Sequence, residues 1–267
     1  MILGAENIIN KKQYPLDQPK TDAWETLTKN CKSSFQQSGV AILKNFVQQP
    51  ILDRMIAETD STIHRSHLCK DNHNVFFEED DSTLPEDHPL RMRDDTSLNS
   101  IPHDLMNPQD ALNILYNWDP LIVFLSEVLG YKLFRMADPM AALTVNCMGS
   151  GQNHGWHYDE SQVTITLLIQ RPDEGGLFQT IPNLRKKDTD DYSQLGSVLK
   201  GADVGVVTLD VEPGDLLLFA GFYSLHRVTP IKGHIIRYVG TLCYKDRPNV
   251  MNSPEVQKLF YGRVNQG

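Results

Sequence analysis

The sequence predicts an α+β protein, with helices first and an all-β half after them. Two patterns and one bound carry this expectation. Before residue 140, apolar residues recur every three or four positions over stretches of helical length. From Ala141 the texture changes to short β-branched runs, ALTVNCM, QVTITLLIQ, GVVTLD, DLLLFA and HIIRYVGTLCY, divided by Gly, Pro and Asp. That spacing suits an antiparallel sandwich or barrel. At 267 residues and 40% apolar content, the chain is long enough for one sizeable core.

The elements follow in order. Thr21 to Gln37 has the first helical period, in Trp24, Leu27, Cys31 and Phe35, with Asp22 as candidate cap and Gly39 as stop. Val40 to Leu43 reads as a strand inside GVAILKNF. Pro50 to His64 is a second helix with Ile51, Met55 and Ile56 facing inward. Leu68 to Ser100 is polar, rich in Asp, Glu and Pro, and reads as a long surface loop or as a lid. Asn107 and Pro108 start a helical stretch that breaks near Pro120 and ends at Gly130. Asp188 to Lys200 holds a short helix between strands, and Pro254 to Tyr261 is a terminal helix packed outside. No repeat or linker divides the chain, so one domain over 1–267 is expected: a mainly helical 1–140, a β core over 141–250 and a C-terminal helix over 251–267.

Composition excludes several function classes. The formal net charge is −9, which disfavours broad contact with nucleic acid or an anionic membrane. No run of 18 apolar residues is present, and MILGAENIIN lacks the basic leader and apolar run of a secretory signal. A cytoplasmic protein with reduced thiols at Cys31, Cys69, Cys147 and Cys243 is therefore expected.

The chemistry gathers in NHGWHYD, residues 153–159. His157 and Asp159 are two apart, so in an extended segment they share a face. A third ligand is available in FYSLHRVTP, where His226 follows the strand Asp215 to Ala220. It lies 226 − 157 = 69 residues on, enough for the chain to cross a sandwich and return. Two imidazoles and one carboxylate are the facial triad of non-haem iron(II) oxygenases, with positions left for a co-substrate and O₂. Arg237 lies 237 − 226 = 11 residues after His226, inside the apolar run HIIRYVG. There it either snorkels at a sheet edge or clamps a carboxylate by paired hydrogen bonds.

These residues together resemble the iron(II)/2-oxoglutarate dioxygenases. The likeness covers about Ala141 to Tyr244 and implies a double-stranded β-helix, or jelly-roll, core with the N-terminal helices packed outside. It implies His157, Asp159 and His226 as metal ligands and Arg237 as the contact to 2-oxoglutarate. NHGWHYDESQVTITLLIQ, EGGLFQ and GDLLLFAGFYSLHRVTPIKGHIIRYVGTLCY resemble more narrowly the branch holding free-amino-acid halogenases and their hydroxylase relatives. The halogenases of that branch have Gly or Ala where this chain has Asp159, a change that opens a place for chloride. The resemblance therefore implies hydroxylation of an unactivated C–H bond, with iron(II), 2-oxoglutarate and O₂ consumed and succinate and CO₂ released. Desaturation and oxidative cyclisation are the alternatives within the class.

Further residues are candidates. Glu160 matches an acidic position that helps bind a substrate ammonium in the related halogenases, or is an exposed turn residue. Trp156 walls the pocket or belongs to the core. Asn146, polar within ALTVNCM, points toward the co-substrate or to solvent, and Thr229 supports the co-substrate or caps a turn. His154, three residues before His157, competes for the ligand role only in another strand register. Asp138, Asp215 and the pair Gly175 and Gly176 read as turn residues. The expected partner is a small, amine-bearing molecule, not nucleic acid or membrane. The rivals are an oxygenase acting on nucleic acid or protein, a non-catalytic cupin-like binder, for which Arg237 has no ready role, and a plain structural domain.

Overall fold

Side-chain alternation along a few strands decides how the molecule is layered. The computed structural model describes residues 4–186 and 192–265. Its helices are α1 (Asp22–Ser38), α2 (Gln49–Thr62), α3 (Ala111–Tyr116), α4 (Asp119–Leu129), α5 (Tyr192–Leu199) and α6 (Pro254–Tyr261). Its strands are β1 (Val40–Leu43), β2 (His67–His73), β3 (Asp94–Pro102), β4 (Phe134–Arg135), β5 (Leu143–Met148), β6 (His154–His157), β7 (Thr164–Gln170) and β8 (Glu174–Gly175). They continue as β9 (Phe178–Ile181), β10 (Val207–Thr208), β11 (Leu216–Phe219), β12 (Leu225–Val228), β13 (Ile231–Lys232), β14 (Arg237–Leu242) and β15 (Tyr244–Lys245).

A seven-stranded antiparallel sheet runs β1-β11-β7-β14-β5-β3-β2, and a four-stranded one runs β10-β9-β12-β6. In the large sheet every second residue joins the main core under the N-terminal helices: Leu143, Val145 and Cys147; Ile165, Leu167 and Ile169; Tyr238 and Leu242. The alternate residues must face the other way. They are Thr144, Asn146 and Met148 on β5, and Arg237, Val239 and Thr241 on β14, with Arg237 opposite Met148 and Val239 opposite Asn146. That inner face meets the small sheet: Met148 packs with Val228 and Phe178, and the Phe178 and Phe219 rings are 4.9 Å apart. Two facing antiparallel sheets with helices on the outer face of the larger are the α+β jelly-roll arrangement expected from the sequence.

Several expectations need correction. Helices first and strands later is not how the molecule is assembled, because β1, β2 and β3 all complete the large sheet. Leu68 to Ser100 is a loop only in its middle: residues 74–93 connect two strands, and the ends of the stretch form the β2–β3 hairpin, paired from His67 with Ser100 to His73 with Asp94. The α1 cap is Thr21, whose hydroxyl accepts from the Trp24 N–H, and not Asp22. Gly39 ends the helix as expected, at φ 69°, a left-handed turn that suits glycine. Helix α6 does not lie merely outside; it packs on β2 and β3, and its Val256 and Leu259 face the cavity described below. Asp138 and Asp215 are buried. Asp138 accepts from the Met140, Ala141 and Asn252 N–H groups and from Gln257 Nε2, tying α6 to the core. Of the helix expected over Asp188 to Lys200, Tyr192–Leu199 is helical; residues 187–191 lie outside the described residues. All four cysteines are free thiols, and no helix among the described residues is long and apolar enough to cross a membrane.

Candidate metal centre and active site

Strand pairing brings the three expected ligand residues together. His226 on β12 is the direct cross-strand partner of His157 on β6. Facing residues of an antiparallel pair stand side by side on one face, and the two imidazole centroids are 4.1 Å apart. Asp159 follows β6 by two residues. Its Oδ1 lies 3.6 Å from His157 Nε2 and 3.5 Å from His226 Nε2. Among the described residues these three form the one group of His, Cys, Asp and Glu with donor atoms clustered for a metal.

The ring orientations are fixed from behind. His157 Nδ1 is 2.7 Å from the Gly155 carbonyl oxygen, and His226 Nδ1 is 2.9 Å from that of Ser224. A carbonyl only accepts, so both Nδ1 atoms carry the proton. Both Nε2 lone pairs are then turned toward Asp159, the state a metal ligand needs. Burial, reinforced by the neighbouring His226, lowers the His157 pKa and favours the neutral ring. Burial alone would raise the Asp159 pKa; interaction with His226 and His157, effective when an imidazole carries a second proton, outweighs it and holds the carboxyl well below the usual range. Asp159 Oδ2 accepts from the Thr164 hydroxyl, and its backbone N–H donates to the Gly221 carbonyl at 3.1 Å. A Cβ at Gly221 would sit 2.1 Å from Asp159 Oδ2, so glycine there is what lets the carboxylate lie where it does. The donor set fits a divalent metal such as iron(II).

Residues outside the sequence motif anchor β6. Thr96 Oγ1 accepts from the Gly155 N–H at 3.0 Å and bonds His73 Nε2 at 2.8 Å, and Asp94 Oδ2 accepts from the Trp156 N–H at 2.9 Å. These side chains of β2 and β3 tie the edge of the large sheet to the ligand-bearing strand. No sequence signal marked them, because their roles exist only once the hairpin has paired.

The other candidates divide. A cavity of about 760 Å³ opens beside His157 and Asp159, and Asn146, His154 and Glu160 line it with them. Asn146 has no side-chain hydrogen bond among the described residues and faces inward, and Glu160 is exposed at the cavity wall. Arg237 is 7% exposed on the inner face, with no carboxylate in ion-pair distance among the described residues. Burial lowers its pKa to about 10, which still leaves it charged at neutral pH. A buried cation without a counter-ion is placed for an anionic ligand.

His226, Arg237, Trp156 and Thr229 are not among the residues that line the cavity, and the last two turn elsewhere. Trp156, one step from His157 along the strand, turns to the opposite side. It is buried with Val75, Tyr158 and Leu225, and Arg227 lies 4.5 Å from its ring. Thr229 is engaged with Leu177, donating its own N–H to the Leu177 carbonyl and accepting the Leu177 N–H on its hydroxyl, so the turn-capping reading holds. His154 stacks on His157, with centroids 3.8 Å apart, and stays outside the ligand trio.

The sequence model of the protein family described as halogenase D matches residues 23–258, most of the chain. A search of curated proteins found no match. Solved structures share the fold. The non-haem α-ketoglutarate-dependent carbocyclase SnoK from nogalamycin biosynthesis aligns at TM-score 0.59 and 12% identity, over 91% of this chain and 95% of that one. HygX from Streptomyces hygroscopicus, solved with nickel, 2-oxoglutarate and hygromycin B, aligns at 0.55 and 12%, over 81% and 86%. A prolyl hydroxylase from Trichoplax adhaerens, in complex with a peptide fragment, aligns at 0.52 and 18%, over 84% and 90%.

Proposed function

The chain belongs to the family described as halogenase D, and from that premise we propose that it is an iron(II)- and 2-oxoglutarate-dependent oxygenase that hydroxylates an unactivated C–H bond of a small free amino acid or amino-acid-like metabolite. His157, Asp159 and His226 hold the metal. When bound, it supplies the activation of O₂ that couples oxidation of 2-oxoglutarate to succinate and CO₂ with oxidation of the substrate. The chain's own groups do the positioning. Arg237 receives the far carboxylate of 2-oxoglutarate by charge-assisted hydrogen bonds. Asn146, on the same inner face and without a side-chain hydrogen bond among the described residues, offers an amide toward the co-substrate. The two main-chain carbonyls keep the imidazoles from rotating, and the half-buried Asp159 keeps its charge. The cavity's role is to present one C–H bond to the metal side and to keep the others away.

One observation carries hydroxylation over halogenation. Asp159 lies within 3.6 Å of both histidine Nε2 atoms, so the position that chloride would need is filled by a carboxylate of the chain. Reactions of the native enzyme with an amino-acid panel, run in chloride, in bromide and without halide, are expected to give products 16 mass units heavier than substrate and no halogen isotope pattern. A chlorinated product would overturn the assignment of Asp159 as a ligand. A product two mass units lighter would keep the ligand and replace hydroxylation by desaturation or cyclisation. Asp159→Gly opens the position but leaves a pocket shaped around the intact triad. A displacement near 1 Å costs about a hundredfold in rate, so that variant is expected to consume 2-oxoglutarate with little product of either kind.

Glu160 supports an amine-bearing substrate, as a carboxylate at the cavity wall with no ion-pair partner among the described residues. Glu160→Gln is expected to raise the KM for an amine substrate about tenfold while 2-oxoglutarate affinity stays unchanged. Equal KM values for the variant and the native enzyme would remove Glu160 from substrate recognition.

A further inference from the structure

A second cavity, of about 250 Å³, adjoins the first. Glu160, Ser161, Phe222 and Lys245 line both, so they form the wall between them. The side chamber is mixed in character: Leu129, Leu133, Val163, Ile165 and Val250 line it together with Gln162 and the ion-paired Asp246 and Arg247. The common wall therefore carries one carboxylate and one ammonium, from segments more than eighty residues apart in sequence.

Lys245 stands out among the cations of the main cavity. Arg93 donates to the Asn72 carbonyl at 2.7 Å, and Arg185 lies against aromatic rings, 4.2 Å from that of Phe222. The Lys245 ammonium is half-buried and makes one side-chain hydrogen bond, to Ser161 Oγ at 2.5 Å. No carboxylate among the described residues lies in ion-pair distance of it. An ammonium has three donors, and withdrawing it from water is costly unless they are used. Ser161 directly follows Glu160, so the Lys245–Ser161 bond also ties the Glu160 segment to β15.

Taken with the amino-acid-like substrate argued above, on which this inference rests, the geometry points to Lys245 as the residue that receives the substrate's carboxylate. Glu160 takes the amine beside it, and the carbon chain extends from this wall toward the triad. The substrate's charged head is then held at the junction of the two chambers, and its reacting carbon lies in the main one. Lys245 sets specificity: a substrate must present an anion as well as an amine.

The test uses iron(II)-loaded protein saturated with 2-oxoglutarate under argon, so that binding is read without turnover. The probes are straight-chain carboxylates from butyrate to decanoate, the matching alkylamines, and the matching 2-amino acids. Lys245→Met keeps the length of the side chain and removes its charge. It is expected to weaken the carboxylates and 2-amino acids at least about tenfold and to leave the alkylamines within about twofold. Lys245→Arg restores most of the carboxylate affinity, while Glu160→Gln gives the mirror pattern. Equal weakening of all three probe classes would show a structural role and overturn the proposal. So would unchanged carboxylate affinity, failure of every carboxylate to bind the native protein, or loss of 2-oxoglutarate affinity in its place. Native protein that binds carboxylates but no amine would sink the Glu160 reading and leave Lys245 standing.

Discussion

His226→Ala and His157→Ala are each expected to strip iron(II) from the protein and to cut 2-oxoglutarate turnover below about 1% of the parent rate. Changing a residue that only orients a metal ligand costs about 10- to 100-fold in affinity or activity, and loss of the ligand itself must exceed that. The orienting groups here are main-chain carbonyls, those of Gly155 and Ser224, which no side-chain change replaces. The fold should survive. His226 sits in β12, hydrogen-bonded to strands on both sides, and its ring lies against Phe178 and Phe219. Truncation there creates a small void at a cost of about 1–2 kcal/mol. Metal analysis of the purified variants, with circular dichroism as the control for folding, checks both halves. Full turnover in a folded variant would remove that histidine from the site.

Arg237→Met is expected to weaken 2-oxoglutarate binding by about 2–4 kcal/mol, the value of paired charge-assisted hydrogen bonds to a carboxylate. The same change should stabilise the protein without co-substrate by about 1–3 kcal/mol, because it removes a buried charge that has no counter-ion among the described residues. These opposite signs separate the two readings of Arg237. A structural arginine would lose stability on substitution and keep 2-oxoglutarate affinity. Thermal unfolding with and without 2-oxoglutarate reads both at once: a ligand that binds only the folded state raises its stability, and that increment should nearly vanish in the variant. An unchanged titration of the iron-loaded variant would reject the role.

The site was legible in the sequence to the extent that chemistry and local spacing define it. H-x-D at the end of a strand, a histidine after a later strand, and an arginine where an apolar residue belongs are departures from local rules, and such departures mark function. Trp156 was ambiguous for a related reason. Its position beside His157 was plain, but strand alternation sends neighbours to opposite faces, and only the pairing of β6 with β12 fixed which face is the site. The β2–β3 hairpin was hidden because β2, HLCKDNH, buries little more than Cys69 and His73 and offers no apolar run at the sheet edge. Its strand character comes from hydrogen bonds to β3, a long-range pairing that a polar sequence does not announce.

By itself, then, the sequence determined the α+β class, the run of short strands after residue 141, the three residues whose donor atoms cluster, and an arginine inside an apolar run. It did so because apolar periodicity and the cost of burying charge are local properties that each residue carries with it. Only the tertiary structure decided that His226 stands opposite His157, that Asp94 and Thr96 hold the ligand strand, that α6 lines the cavity through its tie to Asp138, and that Lys245 shares a wall with Glu160. Each of these joins segments tens to more than a hundred residues apart, and their meeting is set by sheet register and packing, which no single segment contains.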